Sequence, residues 1–399
     1  MQQKLWSFLN SEVLRSQKTS SRKGNYLVAV EQEFFLMAGD GLPSTYSQSQ
    51  SFLKTFADRS GAKIYLDEKH QISKLGLDTT AGSYGSFKYD HEPHLLEYAS
   101  CFHRSLGSLH SELSSVLNAS KKVAEELGLK IVHSPTIPVD PEHPRTQRET
   151  AEYQNLRKFR KNVQKKLGIS DNDGAANYAA VIASTQVNIS IEGSLWNENP
   201  SFIPNLYRFE RSILAFATLF SGADSRWNRY KSTYRGYKLL GFPDIGEWSY
   251  DSWLKHCLKS YIFQKDATTL STLEEVINAD PQSLPMVWKS LRDLQIIRPK
   301  PTGAVEFRAD PCQPTVDHIM AITALRFGVN LICAELKNPL TDSTYEEEKQ
   351  RWWNSVEKMT YEVPDMDFLQ RVSQKLTAVE PSAARYLEPY FRKAGANAA

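Results

Sequence analysis

Four short segments alternate apolar and polar side chains with a period of two residues, and this pattern restricts the folds open to the chain. The segments are 27–36, 94–99, 180–191 and 303–309. Successive side chains of a β-strand point to opposite faces, so each segment predicts a strand with one apolar and one polar face. The alternation is least regular in 94–99. One-sided strands of this kind are typical of an antiparallel sheet whose apolar face packs on helices.

The polar faces of these predicted strands carry groups that can do chemistry. They are Glu31, Glu33, Glu97, Gln186, Asn188, Glu306 and Arg308. Four carboxylates gathered in one cleft repel one another, so they have to be protonated, hydrated or neutralised by cations. Their oxygens suit Mg²⁺ or Mn²⁺, and the sequence has no Cys/His cluster of the kind that binds zinc. A polar strand face is most often a hydrated surface, and the recurrence in four strands is what favours a site.

The remaining pattern indicates one α+β domain. A helix is predicted over 105–127, ending at Gly128, and the segment from about 310 to the C-terminus is mostly helical. Strands and helices follow one another without regular βαβ alternation, which favours α+β over a doubly wound sheet. The chain shows no internal repeat and no segment of low complexity. We therefore expect residues 1–399 to form a single domain with a helical C-terminal part.

Charge, apolar runs and cysteine spacing limit the binding partners and the cellular compartment that we expect for the protein. The net charge is +2, without a long basic stripe, so nucleic acid is not an expected partner. No apolar run approaches the roughly 20 residues that span a bilayer, and the N-terminal segment lacks the apolar core of a signal peptide. The four cysteines follow no metal or disulfide spacing. These features predict a cytoplasmic protein, and they leave its oligomeric state open.

Motifs within the same four segments resemble the glutamate–cysteine ligase family and its carboxylate–amine ligase relatives. The four, in the family's order, are Val28-Ala-Val-Glu31-Gln-Glu33, resembling G-[IV]-E-x-E; Leu95-Leu-Glu97-Tyr98, resembling L-L-E-[FL]; Thr185-Gln-Val-Asn188, resembling T-x-Q-V-N; and Val305-Glu-Phe-Arg308, resembling E-[VF]-R. Ala29 and Gln32 depart from the first pattern. Together the motifs cover about residues 25–335.

This resemblance implies a glutamine-synthetase-like fold, in which an antiparallel sheet curved into a funnel packs on helices and holds ATP and Mg²⁺ or Mn²⁺ on its concave face. It implies that Glu31, Glu33, Glu97 and Glu306 bind metal. Gln186, Asn188 and Arg308 would contact the cofactor, and Arg308 and Arg235 would stabilise the transferring phosphoryl group. Arg226 or Arg229 is an alternative to Arg235.

The reaction implied by the resemblance joins the γ-carboxylate of glutamate to the amine of an amino acid such as cysteine, as in glutathione biosynthesis. ATP first converts the carboxylate to an acyl phosphate, which the amine then attacks. The substrate-binding loops lie outside the matched motifs, so a different acid and amine remain an alternative.

Two other functions are compatible with the paired acids. Glu31 and Glu33 lie about 7 Å apart along a strand, which a metal-free glycosidase can use as acid and base. A non-catalytic binding protein on the same scaffold is the third alternative. Phosphate-binding GxxxxGK[ST] and GxGxxG loops are absent from the sequence.

Overall fold

The structure, a computed structural model, describes residues 26–78, 84–90, 92–137, 182–190, 297–299, 304–336 and 366–392, with eight scattered residues from 199 to 221. Within these ranges the strands are β1 (Val28–Ala38), β2 (Lys63–Leu66), β3 (Ile72–Asp78), β4 (Tyr84–Tyr89), β5 (Leu95–Ala99), β6 (Leu129–Val132), β7 (Thr185–Ser190), β8 (Ile297–Pro299) and β9 (Ala304–Phe307). The longer helices are α1 (Tyr46–Ser60), α2 (Leu106–Glu126), α3 (Val316–Glu335) and α4 (Met366–Val379), and a 3₁₀ helix spans Pro381–Leu387.

All the described strands join one antiparallel sheet in the order β2-β3-β4-β5-β1-β7-β9-β8, and β6 also pairs with β1. The central strand β1 lies between β5 and β7. Neighbouring strands therefore bring together residues from distant parts of the sequence. The predicted α+β class and antiparallel sheet are confirmed, whereas the curvature into a funnel stays a prediction.

The apolar face of the sheet packs on helices, as the alternation predicted. Val30 and Phe34 of β1 are buried in the same cluster as Leu109 and Leu113 of α2. Helix α2 begins after Ser105, whose side chain accepts a hydrogen bond from the Ser108 N–H at 3.1 Å. This is the usual N-terminal cap of a helix. The predicted bounds of the helix, 105–127, differ from the observed ones by one residue at each end.

Helix α3 is long and apolar enough to cross a membrane by length and composition, yet most of it is buried inside the protein. Its Arg326 forms a buried double hydrogen bond with Asp310, from Nε to Oδ2 at 3.0 Å and from the terminal nitrogen to Oδ1 at 2.6 Å. A helix that is apolar on every side is typical of a core helix as well as of a membrane span. Here the apolar surface packs against the sheet and α4.

Candidate functional site

The strand register places the polar groups predicted from sequence on one face of the sheet. Glu33 lies directly opposite Glu97 on β5, and Glu31 lies opposite Gln186 on β7. Asn188 lies opposite Glu306 on β9. Residues directly opposite in an antiparallel pair point to the same face. Six side chains on four neighbouring strands thus share one face, which we call the acidic face. They are Glu31, Glu33, Glu97, Gln186, Asn188 and Glu306.

Three acids of the acidic face are buried rather than hydrated. Glu33 is 4% exposed, Glu97 is 3% exposed and Glu306 is fully buried. Burial of a carboxylate in an apolar environment carries a large free-energy penalty unless hydrogen bonds or cations compensate for it. A hydrated strand face, the ordinary explanation of the alternation, therefore does not describe these three side chains.

Glu33 is held in place by two donors, one from the residue that precedes β7 and one from β7 itself. One carboxylate oxygen accepts a hydrogen bond from the backbone N–H of Ser184 at 2.7 Å, and the other accepts one from Nε2 of Gln186 at 2.5 Å. Donors of this kind favour the ionised form of a carboxyl group. The arrangement fixes the orientation of Glu33.

The side-chain amides of Gln186 and Asn188 on β7 each donate a hydrogen bond to an acid through their nitrogen, and their oxygens make no such bond. Asn188 donates from Nδ2 to Oε1 of Glu31 at 3.2 Å, as Gln186 does to Glu33. The Oε1 atom of Gln186 and the Oδ1 atom of Asn188 are buried and have no hydrogen-bond partner in the described part of the chain. Buried acceptors in this state point to a ligand that offers a cation or an N–H group.

Glu33, Glu97 and Asp90 form the tightest group of acids. Each contributes one carboxylate oxygen, and the three oxygens lie within 4.8 Å of one another. Asp90 follows β4 and was not predicted from sequence. The signal was present, because Asp90 continues the alternation of Ser86 and Lys88, whose register partners on β5 are Ala99 and Glu97 of the acidic face. Glu31 and Glu306 lie on the same face but outside this group of three.

Lys88 of β4 lies opposite Glu97 and forms an ion pair with it, with Nζ 3.0 Å from Oε1. Burial raises the pKa of Glu97, the Lys88 ammonium lowers it, and the negative charges of Glu31, Asp90 and Glu33 raise it further. The attraction of Glu97 in turn raises the pKa of Lys88. As a net result the pKa of Glu97 lies above its ordinary value, and one ammonium group lies at the border of the acids.

Glu306 and Arg308 form the other ion pair of the acidic face, at the far side of β7. A terminal nitrogen of Arg308 donates to Oε2 of Glu306 at 2.7 Å, and both side chains are buried. The predicted positions of Gln186, Asn188, Glu306 and Arg308 on the face of Glu31 are thus observed. Their roles in binding or catalysis stay predictions. Arg235 and its alternatives Arg226 and Arg229 lie outside the described residues.

No protein-family profile matches the chain, and no curated protein matches it in sequence. Among solved structures, the glutamate–cysteine ligase of Francisella tularensis in complex with AMP matches 94% of this chain and 83% of its own, with 11% identity and a TM-score of 0.51. The chain has the fold of a glutamate–cysteine ligase. The antiparallel sheet packed on helices that the four motifs implied is therefore confirmed, and its curvature into a funnel stays a prediction. The identity is too low to transfer an activity.

A bifunctional glutathione synthetase from Pasteurella multocida is also similar, with 12% identity and a TM-score of 0.49 over 97% of this chain. The chain spans about half of that protein, 48% of its length.

Proposed function

We propose that the protein is an ATP- and Mg²⁺-dependent carboxylate–amine ligase that forms a γ-glutamyl amide bond from glutamate and an amino acid such as cysteine. The observation that carries the proposal is the close group of Glu33, Asp90 and Glu97 at the centre of an antiparallel sheet, in which Glu33 and Glu97 are buried. The glutamate–cysteine ligase fold supports it. In this proposal residues 1–399 act as one catalytic domain, and a different acid or amine is the main alternative.

The acidic face fits a divalent cation such as Mg²⁺ or Mn²⁺. Carboxylates and amide oxygens are the hard ligands that these ions prefer. Glu33, Asp90 and Glu97 are the residues that would hold the cation, with Glu31 and Glu306 beside them on the same face. The unsatisfied oxygens of Gln186 and Asn188 are available to the cation, to its bound water or to an N–H group of a substrate. When bound, a divalent cation screens the phosphate charges and polarises the phosphoryl group.

The side chains around this group have complementary tasks in phosphoryl transfer. Arg308, held by Glu306 at 2.7 Å, would stabilise negative charge on the transferring phosphoryl group. Arg235 is proposed for the same task. Burial excludes water, which strengthens these interactions and protects the acyl phosphate formed on the substrate carboxylate. A carboxylate of the cleft would accept the proton of the attacking amine.

The test is product formation by the purified protein. ATP, Mg²⁺, glutamate and each of the twenty amino acids are supplied in turn, ADP release is followed, and the mass of each product is measured. We expect ADP only with a matching pair, together with a product whose mass equals the two substrates minus water. ATP that neither binds nor turns over with any pair, including other acids in place of glutamate, would contradict the proposal.

Metal removal separates the alternatives. EDTA is expected to abolish ligase activity and added Mg²⁺ to restore it, whereas a metal-free glycosidase is insensitive to both. A binding protein would show ATP binding by calorimetry without turnover of any substrate pair.

A further inference from the structure

Lys88 approaches the acid group from the solvent side. Its side chain is 42% exposed, whereas that of its partner Glu97 is 3% exposed. The four-carbon stem therefore runs from the surface to a buried carboxylate, and only the ammonium end is committed to the contact at 3.0 Å. A lysine in this position can leave the carboxylate by rotating its side chain, without movement of the strand.

The ammonium of Lys88 pairs with one of the three carboxylates that form the candidate metal site. Glu97 Oε1 contacts Lys88, and the same carboxylate lies in the group within 4.8 Å. Glu31 and Asp90 add to the attraction for Lys88. Two positive charges that share a carboxylate repel each other, so Lys88 and a divalent cation compete for Glu97.

A second lysine, Lys74, lies close to Lys88 in the sheet and provides a control for it. Lys74 of β3 lies directly opposite Lys88 and on the same face, but it is exposed, and its Nζ lies 5.9 Å from the Tyr65 ring. Phosphate is a ligand that lysine commonly binds as a point charge.

We propose that Lys88 is a tethered counter-cation that occupies Glu97 in the metal-free protein and moves to a phosphate group of the bound nucleotide when a divalent cation takes its place. The inference rests on the proposed metal- and ATP-dependent function. It assigns Lys88 two opposite effects, because the same charge opposes the binding of free metal and favours the binding of the metal–nucleotide complex. A purely structural lysine has no such pair of effects.

The experiment is calorimetric titration of the metal-free protein, first with Mn²⁺ alone and then with ADP at saturating Mn²⁺. Lys88→Met is expected to bind Mn²⁺ about tenfold more tightly than the wild type and Mn²⁺–ADP about tenfold more weakly, a typical size for coupling between ligands. Lys88→Arg keeps the charge and is expected to resemble the wild type in both titrations. Lys74→Met, the matched control, removes a charge from the neighbouring strand and is expected to change neither affinity by more than about twofold.

Thermal unfolding supplies a readout that does not depend on nucleotide. Loss of Lys88 leaves the buried Glu97 without its ammonium partner, so Lys88→Met is expected to unfold at a lower temperature than the wild type in EDTA. Mn²⁺ is expected to raise its unfolding temperature by more than it raises that of the wild type, because a tighter ligand stabilises the folded state more. Lys88→Gln, a shorter polar variant, takes the place of Lys88→Met if the latter does not fold in EDTA.

The outcomes separate this inference from the proposed function. Mn²⁺ affinity that is unchanged or lower without the Lys88 charge overturns the inference, and so does unchanged affinity for Mn²⁺–ADP. If the wild type turns over substrates and the Lys88 variants bind both ligands as it does, only the inference fails. If the wild type binds neither Mn²⁺ nor Mn²⁺–ADP, the proposed function fails and the inference fails with it.

Discussion

The buried contact of Arg308 with Glu306 bears on both the stability and the proposed chemistry of the protein. Its guanidinium is the partner of a fully buried carboxylate, Glu306, at 2.7 Å. Removal of one member of such a pair leaves the other charge buried without that partner, which typically lowers the free energy of unfolding by about 3–5 kcal/mol. A loss of activity in a variant of Arg308 is therefore ambiguous unless stability is measured with it.

Two variants separate the contributions of Arg308. Arg308→Met alone is expected to lower turnover by about 100-fold or more, as for loss of a charge contact in the transition state, and also to lower the unfolding temperature. Adding Glu306→Gln removes the buried charge and is expected to restore much of the stability without restoring turnover. Turnover and thermal unfolding are measured on both. A double variant that regains activity with stability would show that Arg308 only supports the fold.

The composition of the acidic face was largely predictable, because alternation in four segments fixes which side chains share a face. Glu33 and Glu97 were predicted to lie together, and their register confirms it. Asp90 was missed because it lies just beyond the end of β4. The only sequence signal for it is that it lies two residues after Lys88, so that continued alternation would place the two side chains on the same face. The ion pair between Lys88 and Glu97 depends on which strands are neighbours, and a single sequence does not specify strand order.

At the scale of elements, Glu112 fastens helix α2 to the sheet. Its carboxylate accepts hydrogen bonds from the Tyr98 hydroxyl at 2.5 Å and from the backbone N–H of Cys101 at 3.0 Å, and it lies 2.6 Å from Nε2 of His103. Burial raises the pKa of Glu112, but the contacts with His103, Tyr98 and Cys101 lower it more, so the pKa lies below its ordinary value. The network connects α2 to β5 and to the segment after it.

This lowered pKa predicts a pH dependence of stability. An acid whose pKa is lower in the folded state contributes stability above its ordinary pKa, and the contribution is lost as the pH falls through the folded value. Glu112→Gln is therefore expected to lower the free energy of unfolding by roughly 2–3 kcal/mol near neutral pH. The difference from the wild type is expected to shrink at acidic pH. Urea unfolding at several pH values measures it, and a difference that is constant with pH would contradict the assignment.

Helices α3 and α4 pack closely against each other at Gly328. A Cβ atom there would lie 2.5 Å from Cγ1 of Val372 and 3.1 Å from Cγ of Leu376. The absence of a side chain at Gly328 therefore sets the distance between the helices. Overpacking of a well-filled core typically destabilises a protein by about 1–3 kcal/mol.

Gly328→Ala is expected to lower the free energy of unfolding by an amount in that range, despite the higher helix propensity of alanine. Val372→Ala in the same chain makes room for the new methyl group, so the double variant is expected to lose less stability than the two single losses added together. Gly107→Ala in α2 is the control, since a Cβ atom at Gly107 would lie 3.9 Å from its nearest neighbour, Oγ of Ser105. If urea unfolding shows that the losses of unfolding free energy in the two single variants add up in the double variant, the new methyl group does not clash with Val372.

The elements differed in how far the sequence predicted them. Helix α2 was predicted to within one residue at each end. Helix α1 and strand β3 were not predicted. Helix α1 carries a readable signal, a capping box of Thr45 and Gln48, whereas the short, partly polar β3 is defined by its neighbours. Pairing across the sheet decides such strands, and a local pattern does not contain it.

On the scale of the whole molecule, the buried pair of Asp310 and Arg326 links the sheet to the helical C-terminal part. Asp310 lies two residues beyond Arg308, and its carbonyl oxygen accepts a hydrogen bond from the Thr185 N–H at 3.1 Å. The Arg326 guanidinium also lies over the ring of Phe307, 4.6 Å from its centroid. One side chain of α3 thereby holds the end of β9, and with it the strand that presents Glu306 and Arg308.

Arg326→Met tests whether this link supports the site as well as the fold. The variant leaves Asp310 buried without its guanidinium partner and is expected to lose about 3–5 kcal/mol of unfolding free energy. Combined with Asp310→Leu, it removes both charges, and the double variant is expected to be more stable than Arg326→Met alone. Turnover is expected to stay low in both, because β9 has lost the contact that positions Arg308. Urea unfolding and turnover of the three proteins measure the two effects, and wild-type turnover in the stable double variant would confine the pair to a structural role.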